Sequence, residues 1–121
     1  MKILVIDDDE DIRGFLAFIL KEMGHQIILA EDGLKGIEIV KENSDLLDLV
    51  ITDRHMPGML GEEVVRFVKL HYPQIKVILM TALLDEAVAL VAKAAGADTV
   101  VLKNHFIKEI MKGGDNDVLR G

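Results

Sequence analysis

Five polar residues stand at the ends of apolar runs in this sequence: Asp7, Asp8, Asp53, Thr81 and Lys103. Three carboxylates packed together repel one another unless a cation lies between them. A hard divalent ion with oxygen ligands relieves that repulsion, and magnesium is the usual ion where phosphate is handled. The threonine and the lysine strengthen this interpretation. The residue types therefore indicate a site for a hard divalent cation such as Mg²⁺, provided that the fold brings the five together.

Short aliphatic runs alternate with segments of helical period along the chain. The runs cover residues 2–6, 26–30, 49–52, 75–80 and 99–102. Because they are continuous, they are typical of strands that are buried on both faces of a sheet. Apolar residues recur at helical spacing over 12–23, 34–40, 64–68, 87–95 and 106–111, with Gly24, Pro73, Gly96 and Gly113 as stop signals.

Five strands that alternate with five helices predict an α/β fold. The same alternation implies right-handed crossovers, a parallel sheet and helices on both of its faces. The functional site of such a sheet lies beyond the carboxyl ends of its strands, which is where the five polar residues stand. Asp9, Glu10 and Asp11 also follow the first strand, but we assign them to the cap and dipole of the first helix.

Taken together, these residues resemble the receiver domain of bacterial response regulators, the phospho-accepting half of two-component signalling. The resemblance covers nearly the whole chain and rests on Asp7 and Asp8 after Ile-Leu-Val-Ile, Asp53-Arg54-His55-Met56-Pro57 followed by Gly61, Thr81-Ala82, and Lys103. It implies a doubly wound, flavodoxin-like (βα)5 sheet with strand order 2-1-3-4-5. We expect the receiver domain to span residues 1–112 and a loosely ordered polar tail to span 113–121.

The resemblance also implies a reaction. Asp53 is expected to accept a phosphoryl group from a phosphohistidine of a sensor histidine kinase or a histidine phosphotransferase, which forms an acyl phosphate. Mg²⁺ is the implied cofactor, with Asp8, Asp53 and the main-chain carbonyl of His55 as direct ligands and Asp7 acting mainly through water. Lys103 is expected to pair with Asp53 and then with the phosphoryl group.

Charge explains why such a site needs a cation. Three carboxylates are balanced by Mg²⁺ and one lysine, whereas the phosphorylated site carries about −1 with the metal and about −3 without it. The resemblance implies that the Thr81 hydroxyl and the backbone N–H groups near Arg54 and Ala82 donate hydrogen bonds to the phosphoryl oxygens. Such a domain promotes its own phosphorylation and signals; we do not expect an enzyme in the usual sense.

Two positions depart from the family pattern. Asn104 follows Lys103, where receivers usually have a proline, often after a cis peptide bond. A cis bond before any other residue costs about 3 kcal/mol, so we expect a trans bond here. Val100 stands where receivers usually have a Tyr or Phe switch. Because valine is short and stiff, we expect output through backbone movement after Thr81.

The predicted fourth helix carries few charges, and its apolar residues lie around more than one face. We therefore expect the surface formed by helix 4, strand 5 and helix 5 to bind a downstream protein or a second copy of the chain. The alternative is a well-buried helix rich in alanine.

Composition limits the remaining possibilities. The 121 residues carry a net charge of −7, which argues against nucleic-acid binding because such a surface needs a basic stripe. The chain has no cysteine, which excludes disulfides and thiolate chemistry. No apolar run is long enough for a signal peptide or a membrane span, so we expect a cytoplasmic protein with no membrane partner.

Three other functions fit parts of the sequence. A degenerate receiver would bind partners without ever taking phosphate. An aspartyl-phosphate phosphatase of the haloacid-dehalogenase type is suggested by Asp7-x-Asp9, but Asp11 stands where those enzymes have Thr or Val, and the chain leaves no room for their cap. A flavodoxin-like flavin site needs a phosphate-binding first loop, and the carboxylates here would repel phosphate. The aspartate that becomes phosphorylated discriminates between receiver and phosphatase.

Overall fold

The computed structural model describes residues 1–112 and Leu119. Strands and helices alternate strictly along the chain: β1 (Lys2–Ile6), α1 (Glu10–Glu22), β2 (Gln26–Ala30), α2 (Gly33–Asn43), β3 (Leu49–Asp53), α3 (Gly61–His71), β4 (Lys76–Thr81), α4 (Glu86–Ala95), β5 (Thr99–Leu102) and α5 (Lys103–Met111). The prediction of a loosely ordered tail over 113–121 lies outside the described residues, apart from Leu119, which is buried.

The five strands form one sheet in the order β2-β1-β3-β4-β5. Every pairing is parallel. The central strands β1, β3 and β4 are almost entirely buried, which accounts for their continuous apolar sequences. The predicted fold class and strand order are therefore confirmed.

Helices cover both faces of the sheet, as predicted. Along β1, Leu4 and Ile6 face a core shared with α2, α3 and α4, whereas Ile3 and Val5 face a second core shared with α1 and α5. The alternation follows from the two-residue period of a strand. Leu119 joins the second core. No helix in the described part of the chain has the length and hydropathy that a membrane crossing requires.

Local signals account for some of the helix ends. Asp9 caps α1 by accepting hydrogen bonds from the N–H groups of Asp11 and Ile12, as predicted. Two helices have no side-chain cap and begin three residues earlier than the apolar spacing predicted: α3, at Gly61, and α5, at Lys103. A proline at 104 would disfavour helical geometry at residue 103, and Asn104 removes that restriction. The peptide bond between Lys103 and Asn104 is trans, as predicted.

Candidate functional site

The carboxyl ends of four strands meet at one edge of the sheet. Asp7 follows β1, Asp53 ends β3, Thr81 ends β4, and Lys103 follows β5. Parallel register aligns these ends, since Asp53 pairs with Met80, the residue before Thr81. Residues distant in sequence are therefore brought to one place by the sheet.

Three carboxylates form a compact acidic cluster at this edge. One oxygen each of Asp7, Asp8 and Asp53 lies within 4.8 Å of the other two. Asp7 and Asp53 are buried, whereas Asp8 is exposed. Oδ2 of Asp7 is buried and faces the ammonium of Lys103. An all-oxygen donor set with one side open to water suits Mg²⁺, which prefers carboxylates and retained waters.

Lys103 is shared between the two buried carboxylates. Its Nζ lies 2.6 Å from Oδ2 of Asp7 and 3.3 Å from Oδ2 of Asp53. We predicted a pairing with Asp53; the ammonium also contacts Asp7, which is the closer of the two carboxylates. Asp7 has no exposed surface, so its charge depends more strongly on a protein cation than that of Asp53 does. One ammonium thus faces two buried carboxylates.

The pKa values of Asp53 and Lys103 reflect this imbalance. Burial raises the pKa of Asp53, and the negative charge of Asp7 raises it further. Lys103 and the N–H of Arg54, which donates to Oδ1 of Asp53 at 2.9 Å, oppose that rise without cancelling it. Burial alone would lower the pKa of Lys103, but Asp7 and Asp53 outweigh it, so that pKa is raised. A further cation at the cluster would favour the ionised form of Asp53.

Thr81 is buried at the end of β4, but its hydroxyl is occupied by its own loop. Oγ1 donates to the carbonyl of Leu83 at 2.9 Å and lies 3.3 Å from the N–H of Leu83, which donates to it. A hydroxyl has one proton to donate. Thr81 can therefore donate to another oxygen at this edge only after it releases the carbonyl of Leu83.

The segment that follows β3 is attached to the start of α3. Nη1 of Arg54 lies 2.9 Å from Nε2 of the exposed His55. The carbonyl of Arg54 accepts a hydrogen bond from Gly61 at 2.8 Å. A Cβ at Gly61 would collide with the carbonyl oxygen of Asp53 and would lie 2.6 Å from Cδ1 of Leu79, so only glycine fits there. The role of the His55 carbonyl as a metal ligand stays a prediction.

Glu62 is a charged residue near the site that the sequence interpretation missed. It lies in the first turn of α3, is 3% exposed, and its Oε2 lies 3.2 Å from Nε of Arg54. Acidic residues in a first turn usually face water and complement the helix dipole. One feature of the sequence could have indicated that Glu62 is buried. It stands three residues before Val65, so the two lie on the same, buried side of α3.

Comparison with known proteins assigns the chain to a family. The sequence model of the response regulator receiver domain matches residues 3–113. The chain belongs to this family. The receiver is 36% identical over 109 residues to sporulation initiation phosphotransferase F of Bacillus subtilis, covering 90% of this chain and 86% of that protein. It is 32% identical to a chemotaxis protein CheY homolog of Campylobacter jejuni, covering 98% and 92%.

Solved structures agree with this assignment. The receiver superposes with a TM-score of 0.77 on response regulator TrrA of Thermotoga maritima in complex with Mg²⁺-BeF, at 32% identity and with 92% of this chain and 96% of that chain covered.

The receiver spans 44% of the length of the transcriptional regulatory protein AfsQ1 of Streptomyces coelicolor, with 35% identity over 101 residues. The chain is thus a receiver domain of two-component systems, a signalling family.

Proposed function

We propose that this receiver takes a phosphoryl group onto Asp53 in a Mg²⁺-dependent reaction. The donor is a phosphohistidine of a cytoplasmic sensor histidine kinase or histidine phosphotransferase. The observation that supports this proposal is the convergence on Asp53: two further carboxylates lie within 4.8 Å and the ammonium of Lys103 lies at 3.3 Å. A buried carboxylate among like charges is a nucleophile that needs a cation, and the cluster offers a place for one.

The proposed transfer is a single displacement at phosphorus. A carboxylate oxygen of Asp53 attacks phosphorus, the new O–P bond forms, and the N–P bond of the phosphohistidine breaks as its imidazole leaves. Mg²⁺ would be held by Asp8, Asp53 and the His55 carbonyl, with Asp7 acting mainly through water. There it would neutralise charge on the phosphoryl group. Asp53 then loses its own negative charge, and the dianionic phosphoryl group takes its place.

The chain's own donors complete the site. Lys103 pairs with the phosphoryl group while it keeps Asp7, its nearer partner at 2.6 Å. The backbone N–H groups near Arg54 and Ala82 donate to phosphoryl oxygens. Thr81 exchanges its hydrogen bond to the carbonyl of Leu83 for one to a phosphoryl oxygen. Thr81 ends β4 and Lys103 begins α5, so both residues are positioned by secondary structure.

We also propose that the loop after Thr81 transmits the change. When the hydroxyl leaves Leu83, the turn that leads into α4 loses its side-chain hydrogen bond and moves. On α4, Leu90 is 68% and Val91 is 38% exposed, so the helix is not the well-buried alternative. Val100, on neighbouring β5, offers no aromatic ring. The surface of α4, β5 and α5 then binds a downstream protein or a second copy of the chain.

Intact-mass measurement tests the phosphoryl transfer. We expect acetyl phosphate and Mg²⁺ to add one phosphoryl group to the wild type and none to Asp53→Asn, and we expect chelation of Mg²⁺ to abolish labelling. Equal labelling of wild type and Asp53→Asn would place the acceptor on another aspartate, as in the phosphatase alternative. A wild type that stays unlabelled with every phosphodonor would indicate an interaction module without phosphorylation.

A further inference from the structure

The buried ion pair between Glu62 and Arg54 lies beside the phosphoacceptor but has no part in the reaction described above. Nε of Arg54 lies 3.2 Å from Oε2 of Glu62, and the two side chains are 18% and 5% exposed. Oε1 of Glu62 is buried without a hydrogen-bond partner. Burial of two charges is costly, and an apolar pair of similar size often serves stability as well or better. Stability alone therefore does not account for this pair.

Arg54 contacts Met80, Asp53 and His55 as well as Glu62. Its N–H lies 2.8 Å from the carbonyl of Met80 and 2.9 Å from Oδ1 of Asp53. Its Nη1 lies 2.9 Å from Nε2 of His55. Since arginine only donates, Nε2 of His55 accepts this hydrogen bond. The guanidinium thus contacts the side chain of the residue that follows it, while the backbone of Arg54 contacts Asp53 itself.

Glu62 connects the side chain of Arg54 to the start of α3. It extends from the first turn of α3, immediately after Gly61, whose N–H donates to the carbonyl of Arg54 at 2.8 Å. Residue 54 is therefore attached to the start of α3 twice, through its backbone by Gly61 and through its side chain by Glu62. A rotation of residue 54 would break both contacts.

The pairing also controls charge. A guanidinium without Glu62 would be one residue from Asp53 and free to turn toward the acidic cluster, where it would compete with Mg²⁺. The carboxylate of Glu62 neutralises that charge and holds it on the α3 side. The pair can therefore orient the segment without adding a net charge to the site.

We propose that Glu62 is a positioning residue for the phosphoacceptor site. Through Arg54, it directs the residue-54 N–H at Oδ1 of Asp53 and fixes the backbone at His55. The inference rests on the proposed function, because the His55 carbonyl is the metal ligand proposed there. Glu62 itself touches neither the metal nor the phosphoryl group.

Magnesium affinity of the whole chain tests this role. In Arg54→Leu/Glu62→Leu both charges are removed together, so no buried charge is left unpaired. We expect the Kd for Mg²⁺, from an NMR titration of folded protein, to rise at least five-fold. The control is Lys35→Gln/Glu38→Gln, which removes an exposed ion pair of 3.7 Å, and its Kd should stay within two-fold of wild type. A double leucine variant whose Kd stays within two-fold of wild type overturns the proposal.

A second variant keeps the test decisive if the double variant does not fold. Glu62→Gln retains an acceptor oxygen but loses the charge, so we expect a two- to three-fold rise in Kd and an upfield shift of the Arg54 amide proton without metal. An unchanged amide proton and an unchanged Kd would overturn the positioning role. Failure of the proposed function is distinguishable, because the wild type would then bind Mg²⁺ and remain unphosphorylated on Asp53.

Discussion

The ammonium of Lys103 lies 2.6 Å from Oδ2 of Asp7, a carboxylate with no exposed surface. This contact holds the lysine at the site independently of the state of the phosphoacceptor, its second partner at 3.3 Å. The lysine can therefore turn from the acceptor carboxylate to a phosphoryl group without losing its principal ion pair. The same contact makes the lysine part of the fold as well as part of the site.

Replacement of Lys103 by Met should lower the free energy of unfolding by about 3 kcal/mol, because it leaves a buried carboxylate without its cation. Urea unfolding at pH 7 without Mg²⁺ measures the change. Lys112→Met is the control, since Lys112 pairs at 3.1 Å with Glu109 on the surface and should cost less than about 0.5 kcal/mol. Equal effects of the two substitutions would contradict the structural role of Lys103.

The pKa of Asp53 predicts a stability effect that depends on pH. Because burial raises this pKa above its unfolded value, ionised Asp53 disfavours the fold. Its contribution is most favourable below the unfolded pKa and declines as pH rises through the folded pKa. Without Mg²⁺, Asp53→Asn should therefore be more stable than wild type at pH 7, and the difference should shrink on acidification.

Thermal or urea unfolding from pH 3 to 7 measures this difference. Asp45→Asn, at an exposed position, is the matched control and should follow the wild type at each pH. If Asp53→Asn is less stable than wild type at neutral pH, the buried Asp53 carboxylate is compensated without a metal and the prediction is wrong.

Glycine-to-alanine substitutions should change the free energy of unfolding in opposite directions at the site and within α1. Gly61→Ala should lower the free energy of unfolding by about 2 kcal/mol or more, because its Cβ collides with the backbone of Asp53. Gly14→Ala, inside α1 with nothing within 4 Å of the added carbon, should instead raise it by about 0.5–1 kcal/mol. Denaturant unfolding measures both. A tolerated alanine at 61 would mean that α3 does not approach Asp53 as closely as described.

The lifetime of the phosphoryl group should depend on Leu83. We expect His55 and Leu83, two residues beyond Asp53 and Thr81, to flank the acyl phosphate, where leucine can neither orient nor activate water. Self-hydrolysis should therefore be slow, and Leu83→Glu should speed it several-fold. The decay of phosphorylated protein after removal of acetyl phosphate gives the rate. Leu84→Glu, also exposed, is the control; a rate for Leu83→Glu at or below that of wild type contradicts the prediction.

Self-association through α4 should depend on Leu90. We expect beryllofluoride with Mg²⁺ to shift the wild type toward a dimer in light scattering, and Leu90→Glu to remain a monomer. Leu70→Glu, at another exposed leucine, on α3, should behave like wild type. A wild type that is monomeric in every condition, with unchanged hydrogen exchange in α4, would remove the second-copy version of the output and leave a downstream protein as the partner.

The order of elements and the residues at the strand ends were determined by the sequence itself. Continuous aliphatic runs indicate strands buried on both faces, and helical spacing between them favours parallel crossovers. Because parallel strands share one carboxyl edge, Asp7, Asp53, Thr81 and Lys103 could be placed together without coordinates. The acidic cluster and the family pattern were therefore readable from chain order alone.

Only the tertiary structure decided which of these groups contact one another. Lys103 begins α5 and lies closer to Asp7 than to Asp53, and the spacing of apolar residues revealed neither fact. Glu62 is buried against Arg54 because Gly61 lets α3 approach β3, although a carboxylate in a first turn usually faces water. An ion pair requires two side chains, often distant in sequence, to lie within a few ångströms of each other. A sequence pattern predicts which face of an element a residue lies on, but it does not predict such a distance.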